Sequence, residues 1–231
     1  MTTQNNPHTL AVREALQQGA GAAEKQLTTI GNDYGDDQLA LIVGDLTIPE
    51  IIVMSDEYDM TKPSLISAFI TVEQFTSALD RKAEEWGGLY GGLSQEDLEA
   101  ALYELQENVE GFLCPIVYSG DDSDREYEML SALFDHPHGI RLVLISCVGR
   151  KDFHEMIESP TDRQPGHGTW QGLLTSLRQL RPKEFGEFVE YYRAEAPEGE
   201  KFIRVTQSIL QDISAETRPP EEKKEAEFLT F

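Results

Sequence analysis

Two short stretches hold side chains of complementary chemistry. Ser119-Gly-Asp-Asp-Ser-Asp124 supplies Asp121, Asp122 and Asp124, and Gly149-Arg-Lys-Asp-Phe-His154 supplies Arg150, Lys151 and His154. Clustered carboxylates hold Mg²⁺ or Ca²⁺ through oxygen ligands, and paired cations hold a phosphate. Together they would suit a divalent-metal-dependent enzyme or a sensor of a phosphorylated small molecule. The same residues also have a plainer use, which is the commoner one. Ser123-Asp-Arg-Glu126 has the form of a capping box, aspartates favour the positive end of a helix, and Arg150 and Lys151 can simply pair with them.

Other candidates carry less. His154-Glu-Met-Ile-Glu158 sets an imidazole and a carboxylate one helical turn apart, but lacks the second histidine of the zinc-protease pattern. His136-Pro-His138 offers two imidazoles with no cysteine or third histidine nearby, so a loop pair is expected rather than a zinc site. The two cysteines, Cys114 and Cys147, sit in apolar runs and read as buried thiols, not as a disulfide. The sequence contains no phosphate-loop, dinucleotide-binding or nucleophile-elbow motif and no paired Cys-x-x-Cys, which weighs against an enzyme.

Charge is the strongest bulk signal. The 231 residues carry 19 Lys and Arg against 42 Asp and Glu, a formal net charge of −23. Residues 26–140 hold 24 acids and only four bases (Lys62, Arg81, Lys82 and Arg125), a local net of −20, whereas 141–231 amounts to −3. Such a block repels nucleic acid and anionic membranes and attracts a basic partner, although acidity also serves solubility alone. No apolar run approaches the length of a membrane span, and Met1-Thr-Thr-Gln-Asn-Asn-Pro has no basic cluster followed by an apolar block, so neither membrane insertion nor a secretory signal is expected.

The elements that would position these residues are arranged around Gly139–Gly149, the longest apolar run, rich in β-branched residues and bounded by glycines. That pattern predicts a strand buried on both faces. Phe112–Tyr118 reads as a second strand, joined to it by a helix with Tyr127, Leu130, Leu133 and Phe134 inward, which makes a parallel βαβ unit. In that arrangement Cys114 and Cys147 would lie roughly 15 Å apart at about 3.3 Å per residue. The ligand crevice would open at the carboxyl ends of the two strands. Leu39–Val43 and Ile51–Met54 read as a hairpin, with Leu65–Ile70 as a further strand.

Helices are predicted after Thr71-Val-Glu-Gln74 and Ser94-Gln-Glu-Asp97, over Trp170–Leu180, from Pro182, and over a last stripe of Phe202, Val205, Ile209 and Ile213. Gly87-Gly-Leu-Tyr-Gly-Gly92 reads as the stop of the first of these. The fold class expected is therefore α/β, a mixed sheet of about five strands covered by helices. Its expected divisions are a helical segment 1–31, an α/β core 32–160, C-terminal helices 165–216 and a charged tail 217–231.

The function expected is a non-enzymatic, cytoplasmic interaction module whose acidic surface, within 33–140, meets a basic protein. Phe228, Leu229 and Phe231 at the tail would be a second contact. Bacterial adaptors, secretion chaperones and immunity proteins share this composition. The metal-dependent reading at Asp121, Asp122, Arg150 and Lys151 is the alternative, and a decoy mimicking nucleic-acid charge is a third. The sequence does not specify an oligomeric state.

Overall fold

A computed structural model describes residues 6–57, 64–119, 122–158, 168–194 and 201–217, and 85% of these are helical, with no strand among them. The α/β expectation is thereby overturned. The order is α1 Pro7–Leu16, α2 Ala20–Tyr34, α3 Asp36–Gly44, α4 Ile48–Glu57, α5 Leu65–Phe69, α6 Val72–Tyr90, α7 Gln95–Val117, α8 Ser123–Asp135, α9 Gly139–Cys147, α10 Phe153–Glu158, α11 Trp170–Leu180, α12 Pro182–Ala194 and α13 Lys201–Thr217.

Each run read as a strand lies in a helix. Leu39–Val43 is in α3, Ile51–Met54 in α4, Leu65–Ile70 in α5 and its cap, Phe112–Tyr118 at the end of α7, and Gly139–Gly149 in α9 and the turn after it. The reason is burial. Leu142 to Cys147 are all buried, and a short helix enclosed on every side is as uniformly apolar as a strand buried on both faces. The helix also satisfies its own backbone without a partner strand. With the parallel pair gone, the spacing inferred for Cys114 and Cys147 has no basis. Both thiols are nevertheless free and buried.

The chain forms two compact units, one from Met1–Ala78 with Gly111–Asp135, the other from Leu79–Glu110 with His136–Phe231. In the first, α2 packs on α1, α3, α4 and α5 through Ala23, Leu27 and Ile30. The five-residue α5 is too short to hold itself. Buried Glu24 accepts the Ser64 hydroxyl and the N–H groups of Leu65 (3.0 Å) and Ile66 (3.3 Å), while Arg125 donates to the carbonyls of Ser67 (3.1 Å) and Ile70 (2.9 Å). A carboxylate at its N-terminus and a guanidinium at its C-terminus match the helix dipole. The predicted box at α6 is present. Gln74 N–H donates to Thr71 Oγ1 and Thr71 N–H to Gln74 Oε1, with Gln74 Nε2 also donating to the Val43 and Leu46 carbonyls at the end of α3.

In the second unit α9 is packed by α11 and α13, and α12 packs on α11. Gln106 of α7 donates to the carbonyls of Ile145 (3.0 Å) and Val148 (2.7 Å), satisfying the C-terminal end of α9 inside the core. Gly149 then turns the chain at φ +83°, where a Cβ would lie 2.8 Å from the Phe202 ring. The helix α6 does stop within the expected stretch, at Tyr90 with Gly91 and Gly92 in the turn after it, but the first glycine pair serves another purpose. Gly87 lies within the helix, and a Cβ there would sit 3.1 Å from Ile213 and 3.2 Å from the Ser214 backbone, so the missing side chain lets α13 approach.

Among the described residues no single helix is long and apolar enough to cross a membrane. The pair α3 and α4 reaches that length only jointly, bent by 112° at the break, and its Leu39, Ile42, Val43, Ile51 and Met54 are buried in the first unit.

Candidate interaction surface on helix α7

The residues first suspected of chemistry fall in different units. Asp122 and Asp124 belong to the first unit, and Arg150, Lys151 and His154 to the second. Among the described residues there is no sheet edge to gather them, and Asp121 lies outside those residues, as do Phe228, Leu229 and Phe231. Asp122 is a helix cap, accepting from the N–H groups of Asp124 (3.0 Å) and Arg125 (3.3 Å). The cap of α8 is thus Asp122, not Ser123, which already belongs to the helix. Asp124 is exposed in its first turn.

Arg150 is tied to α7, 3.0 Å from Glu107 and 2.8 Å from Glu110, with its guanidinium 6.0 Å from the centre of the Trp170 ring. Glu110 also accepts the Trp170 N–H. Lys151 is exposed, and His154 pairs with Glu158 at 3.4 Å on an exposed turn. Among the described residues no group of three or more His, Cys, Asp or Glu is arranged to hold a metal ion. The Cys147 thiol is pushed up to about 12, chiefly by complete burial, so it is no nucleophile at neutral pH.

The acidic block is partly consumed by such contacts. Glu50 meets Arg13, Asp80 meets His136, Glu84 meets Arg81, Glu85 meets Lys82, and Glu24 and Asp122 cap helices. The other exposed acids are spread over several helices, with Asp33 on α2, Asp36 and Asp37 on α3, Glu73 on α6 and Asp124 and Glu128 on α8, and one group of them lies on α7. One side of this helix is core, with Leu98, Leu102, Leu105 and Val109 buried. The opposite side presents Glu96, Glu99, Tyr103 and Glu104, together with Glu107, which is exposed but already paired with Arg150. Glu99 and Glu107 stand four residues either side of Tyr103 and Glu96 seven before it, so the ring lies within an acidic row about 16 Å long at 1.5 Å per residue. No lysine or arginine occurs in α7.

Tyr103 is 72% exposed, and Glu96, Glu99 and Glu104 form no ion pair among the described residues. The row extends towards α6 at Tyr90. Burial pushes that phenol up, the carboxylates of Glu104 and Glu85 push it further, and a hydrogen bond with Asn108 partly offsets them. Beside Tyr90, Leu89 is 60% exposed. Sequence reasoning counted these acids only in bulk and missed Tyr103. The signal was there, an aromatic residue opposite the apolar stripe with glutamates one and two turns away.

The chain matches no family model, no curated protein and no solved structure.

Proposed function

We propose that the protein is a non-enzymatic, cytoplasmic interaction module that binds a basic protein through the exposed face of α7. The observation that carries this reading is Tyr103, a large, exposed ring set among Glu96, Glu99, Glu104 and Glu107 on a helix without a cation. Tyrosine is enriched among the residues that dominate binding energy, because it brings wide contact area, a polar tip and an electron-rich face suited to arginine and lysine. The surrounding carboxylates speed encounter with a cationic surface and reject anionic ones.

The test is affinity capture at low ionic strength from lysate of the source cells, followed by binding measurements with the purified partner. The expected partner is basic and its affinity falls steeply as salt rises. Tyr103→Ala is expected to weaken it by about 2 kcal/mol, roughly thirtyfold, and Glu99→Lys to slow association, both without unfolding the protein. A partner held equally well by both variants, or none recovered at any salt concentration, would overturn the proposal.

A further inference from the structure

Two of the chain's five histidines meet in the turn before α9. The rings of His136 and His138 lie 5.7 Å apart, and both side chains are more than nine-tenths buried. His136 has a use for each nitrogen. Its Nδ1 accepts the His138 N–H at 3.2 Å, and its Nε2 lies 3.1 Å from Asp80 Oδ1, so the neutral tautomer with the proton on Nε2 fits both.

His138 is different. Its Nδ1 is buried without a hydrogen bond, and Glu216 Oε2, at 3.7 Å, is already held with Oε1 by the Arg141 guanidinium (2.6 and 3.0 Å). His138 is also the N-cap residue of α9 and makes no side-chain capping bond, so a positive charge on it would sit at the positive end of the helix dipole.

The charged groups facing this imidazole come from three helices and the turn. They are Asp80 of α6, His136, Arg141 of α9 and Glu216 of α13, with Asp212 of α13 acting on Arg141. Burial holds His138 below the ordinary histidine value. Arg141 adds to that, as does His136 whenever it is itself charged, while Glu216 and Asp80 pull the other way.

We propose that His138 makes the joint between the first turn of α9 and the last turns of α13 an acid-sensitive latch, closed while the imidazole is neutral and opened by its protonation. Glu216 is already neutralised by Arg141, so a proton on His138 would leave the buried joint with a net positive charge beside the N-terminus of α9, and it is better accommodated by solvent when α13 lifts away. The sign follows from the lowered value. The open state takes up the proton near the ordinary value of 6.5 and the closed state only below it, so the latch is fully closed above about 6.5 and weakens as pH falls towards the closed-state value.

Hydrogen exchange on the full chain, read as protection relative to the intrinsic rate between about pH 7.5 and 5.5, tests this within the range where histidine titrates. The wild type is expected to lose protection over residues 209–217 on acidification, and His138→Asn, which stays uncharged over this range, to keep it. Imidazole NMR of the wild-type protein gives a second readout that needs no variant, with His138 titrating below the ordinary histidine value. Protection independent of pH, protection lost equally in His138→Asn, or His138 titrating at or above the ordinary histidine value would each overturn the proposal.

Discussion

At the scale of single residues, the second unit depends on polar side chains that close helix ends inside its core. Gln106 is the clearest case. Its amide is buried, and one nitrogen satisfies the carbonyls of Ile145 and Val148, which have nowhere else to turn once α9 is enclosed. Gln106→Leu would preserve volume and strand both carbonyls in an apolar setting. Leaving buried polar groups unpaired costs about 1–3 kcal/mol each, so a loss of about 3 kcal/mol is expected from denaturant unfolding. A loss below 1 kcal/mol would mean that water or a backbone shift satisfies the carbonyls. Arg150 works at the same end of α9. It lies near the negative pole of that helix and binds Glu107 and Glu110, which makes the sequence's most suggestive cation a structural clamp.

At the scale of elements, α5 shows how a segment with little intrinsic stability is held by what lies at its ends. Glu24→Gln keeps the shape of the side chain but removes the charge that strengthens three bonds to Ser64, Leu65 and Ile66. Hydrogen bonds to charged groups contribute about 1.5–3 kcal/mol, so a loss of about 2 kcal/mol is expected, with hydrogen exchange rising first over residues 65–69. Uniform exchange across the first unit would argue against a local cap. The same element shows why the fold was only half legible. Amphipathic stripes told true, as at α6, α11 and α13, because a one-sided apolar period has one reading. Short apolar runs did not, since complete burial erases the period. Their flanks carried the missing cue. Thr47-Ile-Pro-Glu50, read as a hairpin loop, opens α4, with Glu50 accepting the Thr47 N–H at 2.8 Å and its hydroxyl at 2.9 Å, and proline in the first turn. Gly139–Gly149 was correctly picked out as a core element and wrongly given its form, because α9 carries no polar residue on any face but Arg141 and Ser146. The α7 surface was legible only as a local excess of acid, since which carboxylates pair with distant arginines is decided by the fold.

At the scale of the whole molecule, a net charge of −23 has two separable consequences, self-repulsion and attraction of cations. The row on α7 distinguishes them. Glu96 and Asp97 in its first turn are favoured by the helix dipole, but Glu99, Glu104 and Glu107 gain little from it, and Glu99 and Glu107 face Glu96 and Glu104 three residues away. Like charges at that spacing cost a few tenths of a kcal/mol per pair. The double variant Glu99→Gln/Glu104→Gln is therefore expected to melt higher at low salt, by roughly 1–3 °C if about 0.5–1 kcal/mol of repulsion is relieved, with the difference from wild type shrinking as salt screens the charges. The same variant should bind the basic partner more weakly, through a slower on-rate. Opposite signs in these two measurements are what a surface kept for binding at the expense of stability requires. If neutralising the row left both unchanged, or raised stability without touching association, the acids of α7 would serve solubility alone.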